Sequence, residues 1–322
     1  MTEPARFLAD LARVAGTTPA PLLLAVSGGP DSMAMLALAA AALPGGIAAA
    51  TVDHGLRPEA AAEAAMVAGC CASLGVPHAT LTGAMSGGGA SLQAQARDVR
   101  YALLAAHARA TAAQAIATAH HADDQAETFL MRAARGSGLS GLAGIRTRVV
   151  IEGATVVRPL LDWRRAELRA IARRAEMPFV DDPANADDRH DRTRFRRLLD
   201  ANEWLDPPRL ARAAAALAEA DADLRAVADW VWAARAACGD GAVVTLAIEG
   251  LPRGLLRILA RRAIGAVREQ AGIATPDWSE SANVEPLLDA LAQGRRATQA
   301  GVVAGLRRGV WRFRPAPARR TG

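Results

Sequence analysis

The feature that most constrains the fold is an alternation of short apolar runs with longer helix-like runs in the first half of the chain. This alternation is typical of parallel strands joined by crossover helices, because a parallel neighbour needs a long return connection. We predict a doubly wound α/β domain whose parallel sheet is covered on both faces. The predicted strands are residues 21–26, 47–52, 76–81 and 115–119, and the predicted helices are residues 31–43, 58–74, 91–111 and 123–135.

A proline pair after Asp206 marks the predicted domain boundary, since proline has no N–H group and interrupts regular structure. We predict a catalytic domain at residues 1–205 and a smaller, mainly helical domain at residues 206–322 that ends in a strand-like segment, residues 309–313. The glycine-rich segment Gly83–Ala90 is predicted to be a loop, either a lid over a site or a plain connector.

The basic residues are all arginine, 38 of them, because the sequence contains no lysine. This excludes a Walker phosphate lysine, a Schiff-base lysine and a lysyl-adenylate on the enzyme. The formal net charge of +5 is compatible with a polyanionic partner. Phosphate charge must therefore be met by arginine, metal ions and backbone N–H groups.

The sequence also bears on where the protein acts. No apolar run approaches the roughly 20 residues that span a bilayer, and the N-terminus does not resemble a signal peptide. The three cysteines include the adjacent pair Cys70 and Cys71 and no C-x-x-C, which fits neither a disulfide framework nor a zinc or iron–sulfur site. We expect a cytoplasmic protein with no membrane partner.

A loop with the sequence Ser-Gly-Gly-Pro-Asp-Ser lies between the first predicted strand and its helix. Glycines let the backbone approach an anion, and the N–H groups at the helix start point toward it. Serine hydroxyls add donors, while Asp31 is a candidate Mg²⁺ ligand beside phosphates. An ordinary glycine turn at a helix start is the alternative. The predicted phosphate-binding residues are Ser27, Gly28, Gly29, Pro30, Asp31 and Ser32.

This loop resembles the S-G-G-x-D-S loop of the N-type ATP pyrophosphatases, which cleave ATP between the α and β phosphates. The resemblance to tRNA(Ile)-lysidine synthases covers roughly residues 20–200 and is specific because several spaced motifs agree. These motifs occur in that family's order at residues 52–57, 96–101, 118–128, 130–139 and 158–161.

The resemblance implies an adenine nucleotide alpha-hydrolase-like fold and a ligase that modifies the wobble cytidine in the CAU anticodon of an isoleucine tRNA. ATP would adenylate the C2 oxygen and release pyrophosphate, and free lysine would then displace AMP to give lysidine. ATP and Mg²⁺ are the expected cofactors, and the smaller domain is expected to contact the tRNA. The oligomeric state stays open, with a homodimer among the alternatives.

Polar residues at strand ends are candidates for the chemistry. His120 and Asp124 flank the start of a predicted helix and should face one crevice. We interpret His120 as a group that orients substrate or assists proton transfer, and Asp124 as a second Mg²⁺ ligand or an acceptor for the amine's proton. Asp123 is either part of this site or a capping acid, and His121 should bond locally. Asp53, at the end of the second strand, is a candidate contact for adenosine.

Arg97 and Arg100 lie three residues apart on one predicted helix face and, with Tyr101, match a motif of the family. Both side chains could reach a phosphate or an anionic intermediate. We predict that Arg100 is catalytic and that Arg97 contacts tRNA.

The segment at residues 189–197 contains five arginines and one aromatic residue. It is either a phosphate-binding strip for tRNA, with Arg192, Arg194 and Arg196 as contacts, or a solvated helix face. Thr193 stands where members of the family usually carry asparagine, which leaves its contact open.

Two other functions compete with a lysidine synthase. A tRNA-thiolating enzyme of the same superfamily would commonly need paired cysteines to carry sulfur, and adjacent cysteines have the wrong spacing. A nucleotide-binding regulator would bind ATP without releasing pyrophosphate. Pyrophosphate release that depends on tRNA would separate the regulator from the two enzymes, and entry of labelled lysine into the tRNA would separate a lysidine synthase from a thiolating enzyme.

Overall fold

The computed structural model describes residues 1–55, 59–83, 92–181, 191–279 and 281–317. Two compact units make up the chain, Met1–Ala218 and Glu219–Gly322. The division falls inside helix α9 (Pro207–Arg235), which begins at the proline pair, because proline is tolerated in the first turn of a helix. The predicted domains at residues 1–205 and 206–322 remain an interpretation of the sequence.

The first unit combines one sheet with helices on its faces. Its strands are β1 (Leu22–Ala25), β2 (Ile47–Asp53), β3 (His78–Thr82), β4 (Ala115–Ala117), β5 (Arg148–Ile151) and β6 (Ala154–Val157). Its helices, besides the first part of α9, are α1 (Glu3–Ala15), α2 (Pro30–Ala42), α3 (Glu59–Ser73), α4 (Leu92–Ala110), α5 (Ala122–Ala134), α6 (Leu139–Leu142), α7 (Arg165–Arg174) and α8 (Asp191–Asp200).

The sheet has the strand order β3-β2-β1-β4-β6-β5, with every neighbouring pair parallel except β5 and β6. Leu22, Leu23 and Leu24 of the central strand β1 are all 0% exposed, as expected where helices cover both faces of a parallel sheet. The predicted doubly wound α/β fold is confirmed.

Helix α1 was not among the predicted elements. Its buried residues Phe7, Leu11 and Val14 recur at helical spacing and pack in the core that contains β1. Gly16 ends the helix in the left-handed region, with φ of 83°, which glycine adopts without a steric penalty. The periodic apolar face and the closing glycine were both present in the sequence.

The direction in which the chain adds strands to the sheet reverses at β1 and β4. Strand β2 lies on one side of β1, whereas β4 lies on the other and leads into α5. In open α/β sheets a crevice forms outside the carboxyl ends of strands at such a reversal. The loops after β1 and β4 therefore border one crevice, and they contain the phosphate loop and the His120–Asp124 segment.

The second unit contains a five-stranded sheet with the order β7-β8-β11-β10-β9, antiparallel throughout. Its strands are β7 (Ala236–Gly239), β8 (Val243–Ala247), β9 (Ala297–Gln299), β10 (Val302–Arg307) and β11 (Val310–Pro315). Helices α10 (Arg253–Ala271) and α11 (Glu285–Ala292) share its core with Trp311 and Phe313. Helices and the final strand were predicted here from the sequence, but the other four strands were not.

Across the described residues, none of the helices, including the long α9, combines the length and apolar character needed to cross a membrane.

Candidate active site

The loop between β1 and α2 forms a backbone cradle. Gly28 has φ of 84°, and a Cβ atom added there would lie 3.3 Å from Cε of Met66. The buried hydroxyl of Ser32 accepts a hydrogen bond from the Ser27 N–H and donates one to the Gly29 carbonyl, at 3.2 and 2.9 Å. Gly29, the N-cap residue of α2, has no side chain to occupy the first helical N–H groups. Those groups are therefore oriented to bind an anion.

Asp31 lies in the first turn of α2 and approaches the buried ring of His121. Its Oδ2 atom is 3.4 Å from Nε2 of His121. Its other oxygen, Oδ1, is buried and has no hydrogen-bond partner within the described part of the chain. A buried carboxylate oxygen without a partner is costly unless a ligand supplies one, so this atom is suited to a cation.

His121 joins the loop after β1 to the start of α5. It caps α5 reciprocally with Asp124: the Asp124 N–H donates to Nδ1 of His121 at 3.3 Å, and the His121 N–H donates to Oδ2 of Asp124 at 3.1 Å. The Oδ2 atom of Asp124 also lies 3.5 Å from Nε2 of His121. His121 bonds locally as expected, but it also brings the carboxylates of Asp31 and Asp124 together, a role that was not predicted from the sequence. The box-like spacing of His121 and Asp124 was the available signal.

The charges at this junction depend on one another. Burial disfavours a charged imidazole, but the carboxylates of Asp124 and Asp31 outweigh it and raise the pKa of His121. Burial likewise opposes ionisation of Asp124, yet the neighbouring His121 and Arg192 lower its pKa to about 2. Asp124 is therefore a permanent anion at neutral pH.

The pKa of His120 shifts in the opposite direction to that of His121. Burial lowers the pKa of its imidazole to about 3, with the positive charge of Arg158 acting in the same direction. Its Nδ1 atom lies 2.9 Å from Oγ1 of Thr118, and the residue lines the crevice. His120 is therefore a neutral group held in place by Thr118, able to orient a substrate through a hydrogen bond.

Asp123 also lies beside His121, with its Oδ2 atom 3.7 Å from Nδ1 of the ring, but its hydrogen bonds serve the scaffold. Its carboxylate accepts hydrogen bonds from the Arg164 guanidinium at 3.2 Å and from the Arg165 backbone N–H at 2.8 Å. Burial alone would raise its pKa, but these two donors lower it. Of the two interpretations of Asp123, the structure favours a structural acid, one that links α5 to the start of α7.

A cavity of about 410 Å³ lies at the carboxyl ends of β1, β2 and β4. Predicted residues in its lining are Ser27, Gly29, Asp31, Ser32, Arg100, His120, Asp124 and Arg192. Asp53 does not line it; its carboxylate instead accepts the Gly55 N–H at 2.8 Å, which closes a local turn. The following residue, His54, lines the cavity in its place.

Three arginines lie close to one another beside this cavity, and one of them, Arg100, lines it. The guanidiniums of Arg97 and Arg100 lie 4.9 and 5.3 Å from the ring centre of Tyr101. Burial lowers the pKa values of Arg100 and Arg158, and Arg97 lowers both further. Neighbouring cations that disfavour one another's charge form a site for an anion. Arg97 itself is exposed, and Arg158 was not predicted as a site residue.

A second cavity, of about 560 Å³, shares part of its lining with the first, including Asp31, Asp124 and Arg192. It also reaches His121, Arg165, Arg169 and Arg196. Both volumes fall in the range of small-molecule sites. The two cavities therefore meet at the Asp31–Asp124 junction, which lets two different ligands approach one point.

Glu127 organises the arginines around the second cavity. Its carboxylate is 0% exposed and accepts hydrogen bonds from Arg165, Arg192 and Arg196 at 3.2, 2.9 and 2.8 Å. Glu127 lies one helical turn after Asp123 on α5, a spacing that places both acids on one side of the helix. Glu127 was not among the site residues predicted from the sequence.

The hydrogen bonds to Glu127 divide the predicted arginine strip, residues 189–197, into two sets. Arg192 and Arg196 face Glu127, whereas Arg194 is exposed and Thr193 is buried. Their assignment to tRNA stays a prediction, and the geometry is most direct for Arg194. Residues 189 and 190 of the strip lie outside the described residues, as do residues 84–90 of the predicted loop and Arg57 of the motif at residues 52–57.

This fold also occurs in other proteins of known structure. The U34-tRNA thiolase of Methanococcus maripaludis matches with a TM-score of 0.56 and 16% identity, over 67% of this chain and 79% of the thiolase chain. At this identity the match shows a shared fold alone. The PP-loop domain family model matches residues 4–202.

Relatives at higher identity extend over most of the chain. A tRNA(Ile)-lysidine synthase from Novosphingobium aromaticivorans is 44% identical, covering 92% of this chain and 90% of that protein. The corresponding enzymes from Zymomonas mobilis and Rhodopseudomonas palustris are 43% and 41% identical, over 92% and 93% of this chain and 89% and 91% of their own lengths. With the PP-loop match and the phosphate cradle, these relatives establish that the chain belongs to the tRNA(Ile)-lysidine synthase family, enzymes built on an ATP-using PP-loop domain.

Proposed function

We propose that this enzyme adenylates the C2 oxygen of the wobble cytidine in the CAU anticodon of isoleucine tRNA, releases pyrophosphate, and then joins free lysine to C2 with release of AMP. The observation that carries this proposal is the meeting of two cavities at the Asp31–Asp124 junction, beside an anion-binding cradle. A two-step ligase needs such an arrangement, because the C2 oxygen of the base must first reach the α-phosphorus of ATP and the amine must then reach C2 of the same base.

ATP is proposed to bind with its adenosine in the cavity of about 410 Å³ and its phosphates on the cradle at residues 27–32. The α2 N–H groups and the Ser27 hydroxyl would then bond phosphate oxygens. His54 and Tyr101 line the adenosine side. In this sequence without lysine, arginine side chains supply the remaining positive charge.

Mg²⁺ fits this site on the chemistry of its donors. Among the described residues, no group of three or more His, Cys, Asp or Glu side chains forms a cage for a metal ion, but Mg²⁺ is usually held by one or two carboxylates together with substrate phosphates. The unpartnered Oδ1 of Asp31 and the ionised Asp124 are the proposed protein ligands. When bound, the ion would neutralise the charge of the departing pyrophosphate.

The side chains around the junction have separate tasks in this proposal. Adenylation is required because a carbonyl oxygen is a poor leaving group and AMP a good one. Arg100 would stabilise the negative charge that develops on the transferred phosphate. A pKa of about 2 makes Asp124 a weak base, which favours holding a metal ion or an ammonium group over accepting a proton. Neutral His120 would position the base through a hydrogen bond.

The tRNA is proposed to contact Arg97, Arg194 and the domain that begins near residue 206, and Arg192 and Arg196 to contribute from the edge of the crevice. All of the proposed substrates occur in the cytoplasm, where we expect the enzyme to act. Lysine as the nucleophile and a homodimeric assembly are further proposals that solution experiments can address directly.

The test separates the two half-reactions. Purified protein with ATP and isoleucine tRNA transcript, but without lysine, should release pyrophosphate and form adenylated RNA. Labelled lysine added afterwards should enter the tRNA as AMP leaves. A nucleotide regulator would release no pyrophosphate, and a thiolating enzyme would not incorporate lysine. Pyrophosphate formed from ATP and lysine with no tRNA present would overturn the proposed order of steps.

A further inference from the structure

One face of the second unit's sheet carries exposed arginines. Along β11, Trp311 and Phe313 are buried while Arg312 and Arg314 are exposed, because successive side chains on a strand point to opposite faces. On the neighbouring strand β10, the buried Ala304 assigns Gly305 and the exposed Arg307 to the same outer face as Arg312.

Arg296 extends this set from the residues that precede β9. A Cβ atom placed on Gly305 would lie 3.4 Å from Cγ of Arg296, so the Arg296 side chain passes over the outer side of Gly305. Gly305 is paired in register with Arg312. Arg296 and Arg312 are therefore lateral neighbours. We name the four exposed residues Arg296, Arg307, Arg312 and Arg314 the arginine face.

The side chains between these arginines are short. Arg312 is flanked in register by Gly305 and Thr245, and Arg314 by Val303. Arg312 and Arg314 are separated by two residues of one strand, roughly 7 Å. The result is a row of positive charges on one face of the sheet, which suits an extended polyanion better than a single small anion.

Little on this surface compensates the charge. All five strands lie in the described part of the chain, and none contains aspartate or glutamate. None of the four arginines forms an ion pair with another described residue. An external anion could therefore bind these four guanidinium groups without first breaking an ion pair within the described part of the chain.

We propose that the arginine face binds the phosphodiester backbone of a double-stranded segment of the substrate tRNA. Guanidinium groups match phosphate oxygens in charge and geometry. The aromatic side chains of β11 point into the core, whereas recognition of unpaired bases uses exposed aromatic rings. The face therefore contributes affinity without reading sequence. This inference rests on the proposed function, since it assigns a contact to the same tRNA.

The test removes three of the charges while keeping side-chain length, with Arg296→Gln, Arg312→Gln and Arg314→Gln in one variant. Binding of full-length tRNA and of an unrelated 20-base-pair RNA duplex is measured by fluorescence anisotropy over a range of salt concentrations. If each arginine meets one phosphate, the slope of log affinity against log salt should fall by roughly 2 to 3, and affinity near physiological salt should fall about 10- to 100-fold.

A matched control removes the same number of charges from another surface. Arg13, Arg109 and Arg173 are exposed, lie in the last turns of α1, α4 and α7, and line neither cavity of the crevice. Their replacement by glutamine should leave the salt slope within about 0.5 of the wild-type value, because a charge that meets no phosphate releases no counterions. Circular dichroism melting establishes that both variants are folded.

Equal tRNA affinity and salt slope in the arginine-face variant and the wild type would overturn the inference. Loss of binding to vesicles containing phosphatidylserine, with tRNA affinity unchanged, would overturn it too and assign the face to a lipid surface. The binding assay needs no turnover, so it is readable even if the proposed chemistry fails. Conversely, normal lysine incorporation together with unchanged tRNA binding would remove this inference alone.

Discussion

Replacing Gly28 by alanine tests whether the phosphate cradle depends on a left-handed backbone. Gly28 has φ of 84°, and its added Cβ would meet Cε of Met66 at 3.3 Å and Cγ2 of Val67 at 3.5 Å. A residue with a Cβ costs roughly 1–2 kcal/mol in the left-handed region. The Met66 contact adds little, because the end of a flexible side chain can move by a few tenths of an ångström. Backbone strain should therefore dominate the effect.

The strain has one of two consequences, depending on whether the loop keeps its conformation. If the loop keeps its conformation, the free energy of unfolding should fall by about 1–2 kcal/mol. If the loop relaxes instead, its N–H groups leave the phosphates, and ATP affinity should fall by up to the same energy, about 5- to 30-fold. Urea unfolding followed by tryptophan fluorescence measures the first quantity, and isothermal titration calorimetry with ATP measures the second.

Gly45→Ala is the matched control. Gly45 has φ of 74° but nothing within 4 Å of an added Cβ, and it lies in the connection from α2 to β2. It should lose a similar unfolding free energy, about 1–2 kcal/mol, with ATP affinity unchanged. The reasoning fails if Gly28→Ala matches the wild type in both measurements, or if Gly45→Ala weakens ATP binding as much as Gly28→Ala does.

Three further predictions concern the crevice. Asp31→Asn should reduce the rate of tRNA adenylation at least 100-fold and leave tRNA affinity unchanged, because losing an electrostatic contact to the transition state typically costs roughly 2.7 kcal/mol or more. Single-turnover and binding assays measure the two quantities, and a parallel loss of both would contradict the assignment. Arg194→Ala should lower the slope of log tRNA affinity against log salt concentration by roughly 0.7 to 0.9. Arg192→Ala should mainly weaken ATP-dependent turnover. Equal slopes for the wild type and Arg194→Ala would mean that Arg194 faces solvent only. The pKa of His121 is raised on folding, so the stability contributed by its protonated ring is complete below the unfolded-state pKa of about 6.5 and is lost as pH rises through the folded-state pKa. The urea midpoint of the wild type should therefore fall over that pH interval, and the midpoint of His121→Gln should change less. Indistinguishable pH profiles for the two proteins would count against the carboxylate contacts.

The first unit was predictable because its signals are local. Each parallel strand is a short apolar run, and each crossover helix follows a turn, so the doubly wound sheet and the position of the phosphate loop could be derived from adjacent residues. The sheet of the second unit gave no comparable signal. Its strands β7 and β9 contain no leucine, isoleucine, valine or aromatic residue, and such segments are stabilised by their neighbours in the sheet rather than by their own composition.

Within the crevice, the sequence by itself determined which residue types stand at the strand ends: the Ser27–Ser32 loop, His120 and Asp124, with the motif that places Arg100 nearby. Only the tertiary structure decided how they are connected. It assigned His121 to bridge Asp31 and Asp124, Asp123 to the scaffold, and Glu127 to hold Arg192 and Arg196. The physical reason is the sequence separation between the residues that make each contact. Backbone turns and helix starts depend on residues a few positions apart, whereas a buried charge depends on partners brought to it by folding, as Arg192 is brought to Glu127 from 65 positions away.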